Sequence, residues 1–243
     1  MNPGQYTSEY FADYEAKGRF LKREQGQRWH QFGYWSRYIS RHYSQGSRIL
    51  EVGCGLGYFA GAVSEKFKYV GTDVAIFPLK VARVREGAQN FIESDAINLA
   101  FHSGSFDVVI AFDMLEHIAN PSSVISEIYR VLREKGQLIA TTPNVRSFGN
   151  RVKSLSADLV PSMHTDETHV SLLSVEEWSN LFKKSGFRIA RSASDTLWDI
   201  PYSSKIPVVL QKIVLIPFNI GVSYFFGGLP WTLGENLVFV CEK

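Results

Sequence analysis

The chain of 243 residues has little of what marks secreted or strongly charged proteins. Its two cysteines, Cys54 and Cys241, form no CxxC pair or repeated spacing, which excludes a disulfide framework and fits a reducing cytosol. The net charge of +2 is too small for an extended nucleic-acid-binding face, so no nucleic-acid partner is expected. The polar and aromatic start, MNPGQYTSEYFADYEAKGRF, lacks the basic and apolar parts of a signal peptide. We therefore expect a cytoplasmic protein.

Long uninterrupted apolar runs are also missing. The segment 206–226 has the length to span a membrane, but Pro207, Pro217 and Asn219 interrupt it and Lys212 adds a charge. We expect a buried or interfacial cap rather than a transmembrane helix. Three uses of the segment stay open: additional core, a dimer contact, and an apolar surface for a peripheral membrane contact or a lipid-like acceptor. The oligomeric state is left unknown.

Strand-like and helix-like segments alternate along the chain, without internal repeats. Strands are predicted at 47–53, 68–74, 90–96, 106–115 and 137–144, and helices at 27–43, 58–67, 77–88 and 121–136. This alternation predicts right-handed βαβ crossovers and a mostly parallel sheet with helices on both faces. Ligands bind beyond the carboxyl ends of the strands in such sheets.

The last part of the chain adds two more strands. Ser174 and Glu177 have the spacing of a capping box at the start of a predicted helix over 174–187. Strands are predicted at 188–193 and 236–242. Because no helical pattern separates them, we expect this pair to be antiparallel.

A glycine-rich stretch, ILEVGCGLGYFAGAV, follows the first strand and carries Gly53, Gly55 and Gly57. A strand that enters a glycine turn before a helix exposes backbone N–H groups and lets a ligand approach the main chain closely. Residues 55–60 also satisfy the dinucleotide pattern GxGxxA. On glycine spacing alone, a nicotinamide-dependent oxidoreductase remains an alternative.

Three carboxylates near the glycines restrict the ligand. Glu51 stands just before the first glycine, where it would repel a pyrophosphate but suit an ammonium group. Asp73 ends the second strand, where a carboxylate can accept both hydroxyls of a ribose. Asp95, followed by Ala96, ends the third strand and can accept a hydrogen bond from an adenine amino group. Together they predict an adenosine with a cationic amino-acid tail and no phosphate.

The motifs EVGCGLG, GTDVA, ESDA and FDVVIAFDMLEHI resemble those of class I S-adenosylmethionine-dependent methyltransferases, over about residues 47–193 and 235–243. The resemblance implies a Rossmann-like α/β fold with a seven-stranded, mostly parallel sheet and an antiparallel last strand. It also implies S-adenosyl-L-methionine as the cofactor. The cofactor-binding residues are then Glu51, Gly53, Gly55, Gly57, Asp73, Val74, Asp95, Ala96 and Phe112.

The stretch DMLEHI followed by VLREKGQLIATTPN is most similar to the branch with quinone O-methyltransferases and bacterial methyltransferases of sugars and secondary metabolites. This implies O-methylation of a small-molecule, sugar or glycan, or lipid-linked acceptor. A catalytically silent domain that binds the cofactor as an interaction module is a further alternative. The predicted organisation is a single domain, 1–243, with a helical N-terminal lid (1–46), a cofactor-binding core (47–144) and substrate-side insertions (145–173 and 196–233).

Two clusters of titratable residues follow the fourth and fifth strands. Asp113, Glu116 and His117 stand at i, i+3 and i+4, which brings them to one side of a helical turn. The second cluster contains His164, Asp166, Glu167 and His169. In one interpretation His117 or His169 is a general base for a hydroxyl acceptor.

In a second interpretation, Asp113, Glu116, His117 and His169 bind a divalent metal that acidifies a diol or catechol. The pattern is similar to metal-dependent small-RNA 2′-O-methyltransferases and some quinone methyltransferases. It departs from them because Asp113 stands where they have glutamate. In a third interpretation the histidine only packs beneath the cofactor.

Aromatic residues are concentrated in the N-terminal region, which can fold over the open strand ends as a lid. Tyr6, Tyr10 and Trp29 are predicted to contact the substrate, together with His164 from the second cluster. Trp35 and Ile39 stand at helical spacing and are expected to pack on the sheet instead.

Overall fold

The computed structural model describes residue 10 and residues 21–63, 65–86 and 90–243, with the backbone alone at 21–30 and 86. The helices are α1 (Leu21–His42), α2 (Ala60–Val63), α3 (Ile76–Glu86), α4 (Pro121–Val131), α5 (Phe148–Lys153), α6 (Val175–Lys184) and α7 (Val208–Phe225). The strands are β1 (Arg48–Val52), β2 (Lys68–Asp73), β3 (Phe91–Glu93), β4 (Phe106–Phe112), β5 (Leu132–Pro143), β6 (Arg188–Ser194) and β7 (Asn236–Glu242). Short 3₁₀ helices cover Leu115–His117 and Ser162–His164.

The seven strands form one sheet in the order β3-β2-β1-β4-β5-β7-β6. Strands β1 to β5 pair in parallel, whereas β7 runs antiparallel to both β5 and β6. The predicted mostly parallel sheet of seven strands with an antiparallel last strand is therefore confirmed. Because β7 is reversed, its first residues lie at the same edge of the sheet as the carboxyl ends of β1 and β4.

Helices cover both faces of the sheet, as expected for buried parallel strands rich in valine, isoleucine and leucine. On one face, Trp178 and Phe182 of α6 pack with α4 against the strands. On the other face, Trp35 and Ile39 of α1 are buried with residues of α2 and α3. Their predicted packing on the sheet is confirmed.

The predicted end of the helix before β5 is wrong. The helix α4 ends at Val131 rather than at Gly136, and the following residues belong to β5. The backbone of Leu132 is already extended, its side chain is fully buried, and it pairs with Phe106 across a register shift between β4 and β5. Burial of Leu132 in the sheet therefore outweighs the helical tendency of the charged residues that follow. The predicted capping box of Ser174 and Glu177 is present.

The segment predicted to be interrupted by prolines is instead the continuous helix α7. Pro207 occupies the N-cap, where the helix needs no backbone N–H donor, and Pro217 is tolerated inside at the loss of one backbone hydrogen bond. The segment is also not additional core, because most of its apolar side chains are exposed. By length and composition alone, α7 is the one helix in the described part of the chain that could cross a membrane.

Candidate active site

A cavity of about 1160 Å³ opens at the carboxyl ends of the parallel strands. Its lining includes many of the residues that the sequence predicts for the site: Tyr10, Glu51, Gly53, Gly55, Asp73, Val74, Ala96, Phe112, Asp113, Glu116, His117 and His169. Gly57, Asp95 and His164 are described but do not line it. The predicted cofactor residues and the predicted catalytic residues thus share one cavity, large enough for two small ligands.

The three glycines of the turn have positive φ angles of 72°, 50° and 71°, but they have different surroundings. A Cβ at Gly53 would lie 2.3 Å from Met114, and one at Gly57 would lie 2.8 Å from Ala82. A Cβ at Gly55 would meet no atom within 4 Å. Packing therefore demands glycine at the first and third positions, whereas Gly55 faces open space where a ligand can approach its backbone.

Two of the predicted carboxylates lie beside this turn. The Asp73 carboxylate accepts hydrogen bonds from the backbone N–H groups of Gly55 and Ala75, both at 2.9 Å. The buried Glu51 carboxylate accepts one from the Tyr69 hydroxyl. Burial, together with the nearby Asp73, raises the pKa of Glu51 to about 8, although the hydrogen bond from Tyr69 lowers it. A cationic group beside Glu51 would restore its charge.

Of the two residues predicted to contact the adenine, only one lines the cavity. Ala96 lines the cavity, but the Asp95 carboxylate accepts a hydrogen bond from the Ile97 N–H at 3.1 Å and lies outside the lining. Phe112, at the end of β4, lines the cavity and stacks on Phe32 with ring centroids 6.0 Å apart.

Hydrogen bonds fix the tautomers of the two histidines in the acceptor half of the cavity. The Thr168 hydroxyl donates to Asp166 at 2.5 Å, so at 2.8 Å from His117 Nδ1 it can only accept, and Nδ1 carries the proton. His169 Nδ1 lies 2.8 Å from the Met163 carbonyl oxygen and must donate to it. In the neutral form of each ring, Nε2 therefore carries the lone pair. Burial, and then the neighbouring His169, lower the pKa of His117 below 6.5.

The two histidines and Glu116 form a compact group of donor atoms. One nitrogen from each ring and one Glu116 oxygen lie within 4.8 Å of one another. Asp113 is not part of this group. Its carboxylate instead accepts hydrogen bonds from Thr141 at 2.7 Å and from Asn236 at 3.1 Å, which ties the ends of β4, β5 and β7 together. Three of the four predicted metal ligands are thus brought together.

Several lining residues were missed by the sequence interpretation, most of them polar: Ser147, Asn150, Trp198, Asp199, Glu235 and Asn236. Asp199 forms a buried ion pair with Lys153 at 2.6 Å. Burial raises the pKa of Glu235 to about 7, and the Tyr202 hydroxyl donates to it. The available signal was a carboxylate directly before the last strand, because a strand predicted to be antiparallel begins at the edge where the parallel strands end.

The N-terminal region reaches the cavity at two described residues, Tyr10 and Phe32. The Tyr10 hydroxyl donates to the Asp166 carboxylate at 3.4 Å. His164 is exposed and does not line the cavity. Tyr6 and the side chain of Trp29 lie outside the described residues, so their substrate contacts stay predictions.

A family model described as a methyltransferase domain matches residues 26–192, well over half of the chain. The chain belongs to this methyltransferase family. The ubiquinone biosynthesis O-methyltransferase of Paracidovorax citrulli is 34% identical to this chain over 157 residues, which cover 61% of this chain and 63% of that protein. The enzyme of the same name from Pseudomonas aeruginosa LESB58 is 34% identical over 105 residues, covering 41% and 45%. This chain spans about half the length of the curated relatives it matches.

Two solved structures with the same fold align with nearly the whole of this chain. A SAM-dependent methyltransferase from Archaeoglobus fulgidus aligns with a TM-score of 0.62 at 18% identity, over 96% of this chain and 99% of that one. The methyltransferase solved with the Trm112 activator of Haloferax volcanii aligns with a TM-score of 0.63 at 19% identity, over 93% and 95%. At these identities the likeness concerns the fold. The chain therefore carries a methyltransferase domain, and its fold is that of these S-adenosylmethionine-dependent methyltransferases.

The residues present fit that cofactor. Gly55 leaves open space at the turn, Glu51 offers a carboxylate for an ammonium group, and Asp73 offers one at the end of β2 for a ribose. Membership of a methyltransferase family disfavours the oxidoreductase alternative.

Proposed function

We propose that the protein transfers a methyl group from S-adenosylmethionine to a hydroxyl of a small-molecule, sugar or glycan, or lipid-linked acceptor in the cytoplasm. The observation that carries this proposal is the pairing of His117 and His169. Both rings have Nε2 lone pairs, and both line the same cavity as the glycine turn. The names of the curated relatives, ubiquinone biosynthesis O-methyltransferases, support an oxygen acceptor.

The cofactor is assigned to Glu51, Gly53, Gly55, Asp73, Val74, Ala96 and Phe112, whereas the predicted Gly57 and Asp95 lie outside the cavity lining. When bound, it supplies an activated methyl group on a sulfonium. The residues of the cavity would mainly hold the acceptor hydroxyl in line with that methyl group and exclude water. The acceptor proton goes to a histidine Nε2, because a pKa below 6.5 keeps His117 neutral near pH 7.

A divalent cation held by Glu116, His117 and His169 is a second candidate for activating the acceptor. It is favoured by the 4.8 Å clustering of the three donor atoms and by the Nδ1 hydrogen bonds that orient both rings, as in many metal sites. Such a cation would lower the pKa of a bound hydroxyl. The mixed imidazole and carboxylate set suits manganese or zinc better than calcium.

Two measurements test the proposed function. Calorimetry with S-adenosylhomocysteine and with NADH compares the two cofactor classes, and binding of NADH alone would overturn the assignment. A screen of catechols, hydroxybenzoates, sugars and prenylated phenols then follows release of S-adenosylhomocysteine. We expect turnover with at least one hydroxyl acceptor that His117→Ala abolishes. Tight cofactor binding without turnover across the whole screen would favour the silent interaction module instead.

A further inference from the structure

The helix α7 is amphipathic, but its polar face is buried and its apolar face is exposed. Its buried residues are mostly polar, namely Gln211, Asn219 and Ser223, with Val222 beside them. Its apolar residues face outward, with Val214 68% exposed and Phe225 74% exposed. A surface helix of a protein surrounded only by water has the opposite arrangement.

Hydrogen bonds fix α7 in this orientation. The Gln211 side chain accepts from the Tyr202 N–H at 2.7 Å and donates to the carbonyls of Ser203 and Ile206. Nearly two turns before the end of the helix, the Asn219 side chain accepts from the Leu197 N–H at 3.0 Å and donates to the Leu197 carbonyl at 2.7 Å. Rotation that would bury the apolar face would leave these buried polar groups without partners, at a high cost.

The width of the apolar surface favours lipid over a protein partner. At 3.6 residues per turn, the exposed positions from Val209 to Phe225 cover an arc of about 200° of the helix. A flat protein interface covers less of a helix, whereas a lipid layer surrounds every outward side. Because the polar stripe holds α7 against the domain along its length, the helix lies in the plane of such a layer and does not cross it.

The charged residues in the segment that contains α7 are all basic. No aspartate or glutamate occurs from residue 200 to 234, whereas Lys205 and Lys212 lie near the start of the helix. At its other end, the Arg37 guanidinium lies 4.5 Å from the centre of the Tyr224 ring, and Arg191 donates to the Phe226 carbonyl. An apolar arc with basic neighbours and aromatic residues at one end matches the interface of an anionic bilayer.

We propose that α7 docks this protein on the surface of an anionic lipid bilayer, with its apolar arc among the acyl chains and its basic neighbours at the headgroups. The docking rests on α7 alone and does not depend on the identity of the methyl acceptor. It does place the cavity near the lipid, because Trp198 and Asp199 line the cavity in the segment that leads into α7.

Flotation of the purified chain with vesicles tests the docking. We expect the chain to float with vesicles of phosphatidylcholine and phosphatidylglycerol, and much less with phosphatidylcholine alone. The variant I213Q/V214Q/F225Q removes apolar area and is expected to bind more than about tenfold more weakly. The variant K205E/K212E is expected to lose about fivefold per lysine on anionic vesicles.

The control variant V84Q/L155Q changes two residues that are 87% and 91% exposed outside α7, and it is expected to float like the unchanged chain. Thermal unfolding verifies that each variant is folded. Equal flotation of the α7 variant and the control would overturn the proposal. So would a dimer in light scattering that the α7 variant dissolves, with no flotation of the unchanged chain. Resistance of the bound chain to alkaline carbonate would also overturn it, because that result indicates a spanning helix.

Discussion

The hydroxyl of Thr168 accepts a hydrogen bond from His117 Nδ1 at 2.8 Å while donating its own proton to Asp166. The residues are 51 positions apart in the chain, and the bond joins the segment after β4 to the insertion after β5. The same contact sets the ring orientation and the tautomer, so the lone pair on Nε2 is prepared before any acceptor binds. This preparation is what general-base or ligand chemistry requires.

Removal of the Thr168 hydroxyl should leave the His117 ring less firmly oriented. We expect Thr168→Val to lower turnover about tenfold with little change in S-adenosylhomocysteine affinity, because the orienting partner of His117 is lost. Thr168→Ser keeps the hydroxyl and should retain most of the activity. Nitrogen NMR of the imidazole rings should find Nδ1 protonated in the unchanged protein, with His117 titrating below pH 6.5. A predominant Nε2–H form would contradict the hydrogen-bond assignment.

Alanine substitutions should separate the glycines that pack from the glycine that faces the ligand. Gly57→Ala adds a Cβ 2.8 Å from Ala82 at a positive φ, and we expect a loss of about 2–4 kcal/mol in the free energy of unfolding. Gly55→Ala meets no neighbour, so only about 1–2 kcal/mol of backbone strain is expected. Its main effect should be weaker S-adenosylhomocysteine binding. Denaturant unfolding and calorimetry measure the two quantities, and similar stability losses at both positions would refute the distinction.

The same glycines illustrate how far the sequence leads. Their alternation with the strand before them predicts the turn, and the acids that follow predict the ligand chemistry. The roles of Gly53 and Gly57 depend on Met114, Ala82 and Phe91, which are 25 or more positions away in the chain. No local pattern encodes those contacts, so the sequence could not separate packing from ligand contact.

The reversed strand β7 accounts for part of what the sequence missed. Glu235 reaches the cavity because β7 runs antiparallel, so that its first residues meet the carboxyl ends of its neighbours. The prolines of α7 predict an interrupted segment, and the face that lies outward depends on the hydrogen-bond partners of Gln211 and Asn219. Strong strand patterns, by contrast, predicted the order of elements in the core well.

The donor group at Glu116 should bind a metal probe. We expect about one equivalent of Co²⁺ to bind with visible absorption bands, because two imidazole nitrogens and a carboxylate oxygen lie within 4.8 Å of one another. His169→Gln should abolish the bands, whereas His164→Gln, at an exposed histidine outside the cavity lining, should leave them unchanged. Full activity after thorough chelation would reject a metal role and leave proton acceptance to the histidines.

The buried Glu51 should make cofactor binding depend on pH. Burial raises its pKa to about 8, so most of the carboxyl is protonated and uncharged at pH 6 to 7 in the unliganded protein. The ammonium group of S-adenosylhomocysteine favours the charged carboxylate and lowers that pKa in the complex, so binding releases a proton. Affinity should therefore rise with pH, by up to about tenfold per unit below the pKa of Glu51. The useful window ends near about pH 7.5, where the α-amino group of the ligand begins to lose its own proton.

Two comparisons isolate this effect of Glu51. Glu51→Gln keeps the shape of the side chain and the contact with Tyr69 but cannot ionise, so its binding curve should be flat over the same pH range. Methylthioadenosine has the adenosine but no ammonium group, and its affinity for the unchanged protein should not rise with pH. Calorimetry in two buffers with different ionisation enthalpies measures the released proton directly. An equal pH dependence for both ligands would place the titrating group elsewhere and remove the ammonium contact from Glu51.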